Sequence, residues 1–149
     1  MRRGVSAGDC VVIVGPSPPL IAIVDDEEPI RRALDRLVRS ASFDAETFPS
    51  GDEFLETVTE HRPDCVVLDL HMPKVDGLRV QAWLARAGLN IPVIVLTGWD
   101  SPEAHRLAID GGAFAYFRKP VDGETLLKAI AEAIGRPKKN GRGKPETPQ

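Results

Sequence analysis

Cys65-Val66-Val67-Leu68-Asp69-Leu70-His71-Met72-Pro73 is the stretch whose reading decides the fold. An apolar run short enough to be a strand ends on a single carboxylate, and a proline-bearing loop follows at once. In an open α/β sheet, chemistry collects outside the carboxyl ends of the strands. Asp69 would there be held rigidly and still be reached by solvent. A lone acid after an apolar run reads first as a strand end, so its role depends on what else reaches the same edge.

Upstream, Leu20-Ile21-Ala22-Ile23-Val24 is a second continuous apolar run, as expected for a strand covered on both faces, and it ends on Asp25-Asp26-Glu27-Glu28. Pro29 suits a first helical turn. Behind it Ile30, Ala33, Leu34, Leu37 and Val38 recur at helical spacing, with Arg31, Arg32, Asp35, Arg36 and Arg39 between them. Phe43 to Phe48 alternates like a half-exposed edge strand. Ser50 and Glu53 form a capping-box pattern, opening a helix that buries Phe54 and Val58 and ends at His61-Arg62-Pro63.

Downstream, Asp76-Gly77 precedes a helix through Leu78, Ala82 and Ala85 that stops at Gly88. Ile91 to Leu96 is a fourth apolar strand, ending at Thr97-Gly98. Ser101-Pro102-Glu103 caps a helix whose inner stripe is Ala104, Leu107 and Ala108, with His105 and Ile109 off that stripe on a candidate partner surface. Gly111-Gly112 stops it. Ala113 to Phe117 is a fifth strand, ending in Arg118-Lys119-Pro120, and Leu126, Ile130, Ala133 and Ile134 mark a last helix. Five strand-then-helix units with short links imply a parallel sheet with helices on both faces. The expected organisation is an irregular extension over 1–19, one domain over 20–134 and a disordered Pro-, Gly- and Lys-rich tail over 135–149. Val11 to Val14 is a weak candidate for an added strand.

The net charge of −3 offers no broad basic footprint, so the folded part is not expected to bind nucleic acid. No stretch nears the roughly 20 apolar residues that span a bilayer, and the run Cys10 to Val14 is too short for a secretion signal. Cys10 and Cys65 are the only cysteines, which argues for reduced thiols in a cytoplasmic protein without a disulfide framework.

Each strand end contributes a distinct group: Asp25 and Asp26 from the first, Asp69 from the third, Thr97 from the fourth, Lys119 from the fifth. Any one has a structural explanation; all at one edge are hard to assemble by accident. Crowded carboxylates raise each other's proton affinity, a divalent cation relieves this, and hard oxygen ligands favour magnesium. A carboxylate can attack phosphorus to give an aspartyl phosphate, and the equatorial charge then needs cationic and hydroxyl partners. The expected reaction is phosphoryl transfer to Asp69, with Lys119 and Thr97 clamping the group.

The chain resembles a receiver domain of bacterial two-component response regulators. The matching motifs are Val24-Asp25-Asp26-Glu27, Leu68-Asp69-Leu70-His71-Met72-Pro73-Lys74-Val75-Asp76-Gly77, Leu96-Thr97-Gly98 and Lys119-Pro120. The resemblance covers about Leu20 to Ile134. It implies a flavodoxin-like, chemotaxis-receiver-like α/β fold with strand order 2-1-3-4-5 and five helices. It also implies that Asp69 takes phosphate, with magnesium, from a phosphohistidine of a sensor kinase or phosphotransfer protein. Asp25 and Asp26 would hold the metal with Asp69 and the backbone carbonyl of His71. Lys119 would pair with the phosphoryl group across a cis bond to Pro120. Thr97 and Tyr116 match a hydroxyl and an aromatic that move together on activation, changing a surface on the last two helices and fifth strand. That surface would meet a downstream protein or a second, phosphorylated copy. Tyr116-Phe117-Arg118-Lys119-Pro120 most resembles receivers of nitrogen-fixation-type regulators.

Two competing readings remain at this stage. A haloacid-dehalogenase-type phosphatase also uses a strand-end aspartyl nucleophile, but needs a second Asp where this chain has His71. A binding module of receiver fold would not need phosphorylation, against which the complete residue set argues. A dinucleotide site is weaker still, because no glycine-rich loop follows the first strand. His71 and Trp99 stand two residues beyond Asp69 and Thr97, where they influence water access. Trp99→Ala is therefore expected to shorten the lifetime of phosphorylated Asp69, measured as loss of label after donor removal; an unchanged lifetime would remove Trp99 from this role.

Overall fold

In the computed structural model residues 17–135 are described. The proposed strand at Val11 to Val14 and most of the basic tail lie outside them. The five apolar runs form β1 (Leu20–Val24), β2 (Asp44–Phe48), β3 (Cys65–Asp69), β4 (Val93–Thr97) and β5 (Ala115–Arg118). All pairings are parallel, in the order β2-β1-β3-β4-β5, the expected flavodoxin-like topology. Five helices alternate with them: α1 (Glu28–Ser40), α2 (Gly51–Thr57), α3 (Gly77–Arg86), α4 (Pro102–Asp110) and α5 (Gly123–Gly135).

Strand side chains alternate between two cores. Ala22, Val24, Val66, Leu68, Val93 and Val95 face one, closed by Phe54 of α2, Val80 and Leu84 of α3 and Ala108 of α4. Ile21, Ile23, Cys65, Val67, Ile94 and Leu96 face the other, under Leu34 and Val38 of α1 and Leu126, Ala129, Ile130 and Ala133 of α5. Because both faces are covered, β3 and β4 read as unbroken apolar runs and every residue in them is buried.

The caps follow their sequence signals. Ser50 Oγ accepts from the Glu53 amide, Asp76 Oδ1 from the Arg79 amide and Ser101 Oγ from the Ala104 amide. Gly88 and Gly112 stop α3 and α4 at positive φ, 72° and 100°.

Several boundaries and one helix face differ from expectation. β4 starts at Val93 rather than Ile91, since Pro92 has no N–H to give a ladder and only its carbonyl serves, accepting from Val66. β5 runs Ala115–Arg118 instead of Ala113 to Phe117, and β2 starts at Asp44 instead of Phe43. α2 ends at Thr57, and turns carry the chain to Pro63. The stripe expected on α4 is overturned in part. Ala108 is its one buried residue, Ala104 packs partly buried against the same core and Leu107 is 37% exposed, because this short helix meets the core along two small side chains.

The loop after Asp69 turns back so closely that Gly77 N–H donates to the Leu70 carbonyl at 3.0 Å. A Cβ on Gly77 would lie 2.5 Å from the Asp69 carbonyl oxygen and 2.8 Å from Leu70 Cα, both backbone atoms of the site strand and its loop. Gly77→Ala should therefore destabilise the chain by about 1–3 kcal/mol in urea unfolding. A change within about 0.5 kcal/mol would mean that the loop is free to adjust.

Candidate functional site

The parallel sheet brings the carboxyl ends of β1, β3, β4 and β5 to one edge. Asp25 follows β1, Asp69 ends β3, Thr97 ends β4 and Lys119 follows β5. Asp25, Asp69 and Thr97 are buried, at 2%, 4% and 0% exposure, while Asp26 is exposed. Burying two carboxylates is tolerable only with partners, and each has them. Asp25 Oδ1 accepts from the Glu27 amide at 2.9 Å, and its Oδ2 accepts from Lys119 Nζ at 2.9 Å. Asp69 Oδ1 accepts from the His71 amide at 3.2 Å and lies 3.6 Å from Lys119 Nζ. Both Asp69 contacts fall on the same oxygen.

Backbone contacts hold these groups in place. Lys119 N–H donates to the Thr97 carbonyl at 2.8 Å, tying the two strand ends together, and the Lys119–Pro120 bond is cis as expected. Arg31 Nη1 donates to the Asp25 carbonyl at 2.8 Å, anchoring the β1–α1 loop. The Thr97 hydroxyl accepts from the Trp99 amide at 3.0 Å and lies 3.4 Å from His71 Nδ1. The His71 and Trp99 side chains, expected at the rim, meet with their rings tilted at 43° and centroids 5.8 Å apart, and Trp99 is 72% exposed. Beside this rim a groove of about 490 Å³ runs between His71-Met72-Pro73 and the start of α4 at Ser101, Glu103 and Ala104.

Tyr116 stands farther out, with its hydroxyl donating to Asp100 Oδ1 at 2.8 Å and its ring edge-on to His105 at 4.6 Å. His105 and Ile109 are both exposed. Asp100, the Arg31 contact and the His71–Thr97 approach escaped the sequence reading. Each joins residues whose proximity depends on loop paths, and no local pattern marks them.

The electrostatics are those of one cation among three acids. Burial, then the Asp25 charge, push the Asp69 carboxyl from 3.8 up to about 7, against the smaller opposing pull of Lys119 and the His71 amide. Burial works against the Lys119 ammonium, but its bond to Asp25 and the Asp69 charge outweigh it and raise its pKa.

One carboxylate oxygen from each of Asp25, Asp26 and Asp69 falls within a 4.8 Å cluster. Hard oxygen donors with excess negative charge fit a divalent cation of the magnesium type. Burial is the larger cause of the raised Asp69 pKa, and the repulsion from Asp25 that adds to it is what such a cation would relieve.

Residues 21–131 match the family model of the response regulator receiver domain. The chain is 41% identical over 116 residues to response regulator protein TmoT of Ectopseudomonas mendocina, covering 77% of this chain and 52% of that protein. It is 35% identical over 114 residues to transcriptional regulatory protein TdiR of Thauera aromatica, covering 76% and 50%. The chain thus spans about half the length of the curated relatives it matches. Among solved structures, FixJ-N superposes with a TM-score of 0.75 at 30% identity, covering 82% of this chain and 98% of that one. Chemotaxis protein CheY4 of Vibrio cholerae superposes with a TM-score of 0.72 at 28% identity, covering 78% and 98%.

The raised Asp69 pKa carries a stability consequence. Between 3.8 and about 7 the folded chain keeps a proton that the unfolded chain releases, so this group's contribution falls as pH rises through that window. Asp69→Asn, measured in chelator, should gain stability over the native chain between pH 5 and pH 8, by on the order of 1–3 kcal/mol. Added magnesium should stabilise the native chain more than the variant. A variant advantage that does not change with pH would refute the charge origin.

Proposed function

The chain belongs to the response regulator receiver domain family, and from that membership we propose that it accepts a phosphoryl group on Asp69 in two-component signalling. The observation that carries the reading is Lys119 Nζ, 2.9 Å from Asp25 and 3.6 Å from Asp69, beside a cluster in which Asp26 joins those two carboxylates. The domain proper is taken as 20–134.

In the proposed reaction the Asp69 oxygen left unused by Lys119 and His71 attacks phosphorus. The bond from phosphorus to the donor nitrogen breaks, and its electron pair leaves with the imidazole of a sensor kinase or phosphotransfer protein. An ionised Asp69 is required, so its high proton affinity must be offset before attack. Magnesium held by Asp25, Asp26, Asp69 and the His71 carbonyl would supply that neutralisation, and would screen the phosphoryl oxygens. Lys119 exchanges part of its pairing with the carboxylates for a phosphoryl oxygen. The Thr97 hydroxyl donates to a second one, at a place already free of bulk water because Thr97 is fully buried.

Water attack on the aspartyl phosphate reverses the modification, so the chain would turn over its own phosphate without acting on a separate substrate. The phosphoryl group carries roughly −1.5 to −2 charge where the ionised carboxylate carried one, so the buried point gains about one negative charge at most. Drawing Thr97 inward opens space for Tyr116, and the exposed surface of α4, β5 and α5, including His105 and Ile109, is altered. A downstream protein, or a second phosphorylated copy, would read that face. The groove beside His71 offers the donor an approach to the same edge. Among the described residues no helix is long and apolar enough to cross a membrane, and a cytoplasmic location fits the free, buried Cys65 thiol.

Incubation with acetyl phosphate and magnesium, read by intact mass, should add one phosphoryl group. Asp69→Asn and omission of magnesium should each abolish the increment. Lys119→Met should slow uptake on the order of 100-fold, the effect of losing one preorganised electrostatic partner. A native chain that stays unmodified with donor in excess would favour a binding module that has kept only the fold.

A further inference from the structure

The loop from Thr97 to Ser101 joins the buried end of β4 to α4, and it is lightly anchored. Trp99 is largely exposed, and Ala108 is the one residue of α4 that is buried. At the far end of α4, Gln81 Nε2 donates to the Ala108 carbonyl at 3.0 Å. At the near end, Asp100 makes the polar tie. Its Oδ1 accepts from the Tyr116 hydroxyl at 2.8 Å, and its Oδ2 lies 3.8 Å from Arg118 Nη1. The Tyr116 ring also packs against His105 in a T-shaped pair, at 4.6 Å and 80°. β5 thus offers two groups to one carboxylate on the loop that begins at Thr97.

We propose that Asp100 clasps Tyr116 in the unphosphorylated chain and so sets how readily Asp69 is phosphorylated. This rests on the phosphoacceptor reading above. If Thr97 moves toward a phosphoryl group and Tyr116 turns into the space it leaves, the phenol must come off Asp100. The Asp100 bond is then present in the resting arrangement and absent from the switched one. A group that stabilises only one of two states biases the equilibrium by its own strength. Burial and the neighbouring Asp100 carboxylate together push the Tyr116 hydroxyl up to about 12, so it remains a donor at neutral pH.

The bond is charge-assisted but close to solvent, so its loss should raise the switched population, and with it the phosphorylation rate, about three- to tenfold. The test uses the full chain with magnesium and acetyl phosphate, following initial rates by intact mass for Asp100→Ala, Asp100→Asn, Tyr116→Phe and the Asp100→Ala/Tyr116→Phe pair. Asp100→Ala should speed uptake in the native background and change it less than twofold when Tyr116→Phe is already present. Asp100→Asn keeps an acceptor and should fall nearer the native rate. Equal acceleration by Ala and Asn, or the same acceleration with and without the Tyr116 hydroxyl, would overturn the clasp in favour of a charge effect on the anionic donor. An unchanged rate in Asp100→Ala would also overturn it.

A readout independent of phosphate comes from the single tyrosine of the chain. Its near-ultraviolet titration should move to lower pH in Asp100→Ala, and an unmoved midpoint would again overturn the clasp. A native chain that takes up no phosphoryl group overturns the phosphoacceptor reading and the regulatory role together, whereas the titration separates that failure from loss of the clasp alone.

Discussion

The ammonium of Lys119 is the constraint on which the edge of this sheet depends. Two carboxylates lie buried within reach of each other, at Asp25 and Asp69, and without a cation between them burial and repulsion would favour protonation of one. Lys119 answers that only in part. It sits nearer Asp25 than Asp69, and Asp69 is left with a proton affinity far above that of an ordinary carboxyl. The cluster is electrostatically unfinished, an imbalance that a hard divalent cation would relieve.

Keeping such a cluster in place requires a rigid frame, which the doubly covered sheet supplies. β3 and β4 lie between two apolar layers and cannot shift their register without moving side chains from one core into the other. The strand ends are therefore fixed, and the Lys119 amide to Thr97 carbonyl bond locks β5 to β4 where the site needs it. The segments beyond those ends differ in how firmly they are held. The turn after Asp69 is closed against Gly77, where even a methyl group would strike backbone. The loop after Thr97 has Trp99 in solvent and a short helix resting on Ala108. The Asp69 side of the edge is thus held rigidly while the α4 side is held loosely.

Much of this was legible from residue order. Unbroken apolar runs ending in Asp25-Asp26, Asp69, Thr97 and Lys119 place the chemistry because parallel strands must share a carboxyl edge. Helix starts at Ser50, Asp76 and Ser101 were equally plain, since capping is a contact over three residues. The misjudged places have a common cause. Leu107 continues the helical period of Ala104 and Ala108, yet whether a helix buries a wide stripe or only its small side chains depends on how it seats on the sheet. Ile91 is as apolar as Val93, and only the missing N–H of Pro92 keeps the ladder from starting earlier.

By itself, the sequence determined the parallel α/β class, the shared edge and the residue types that meet there, because hydrophobic periodicity and parallel connectivity are encoded locally. Only the tertiary structure decided the pairings: Lys119 with Asp25 before Asp69, Thr97 beside His71, and Tyr116 on Asp100. Those partners lie between 16 and 94 positions apart in the chain. Hydrogen bonds and ion pairs resolve differences of less than an ångström, and such distances are fixed by packing of the whole sheet and its loops rather than by any stretch within it.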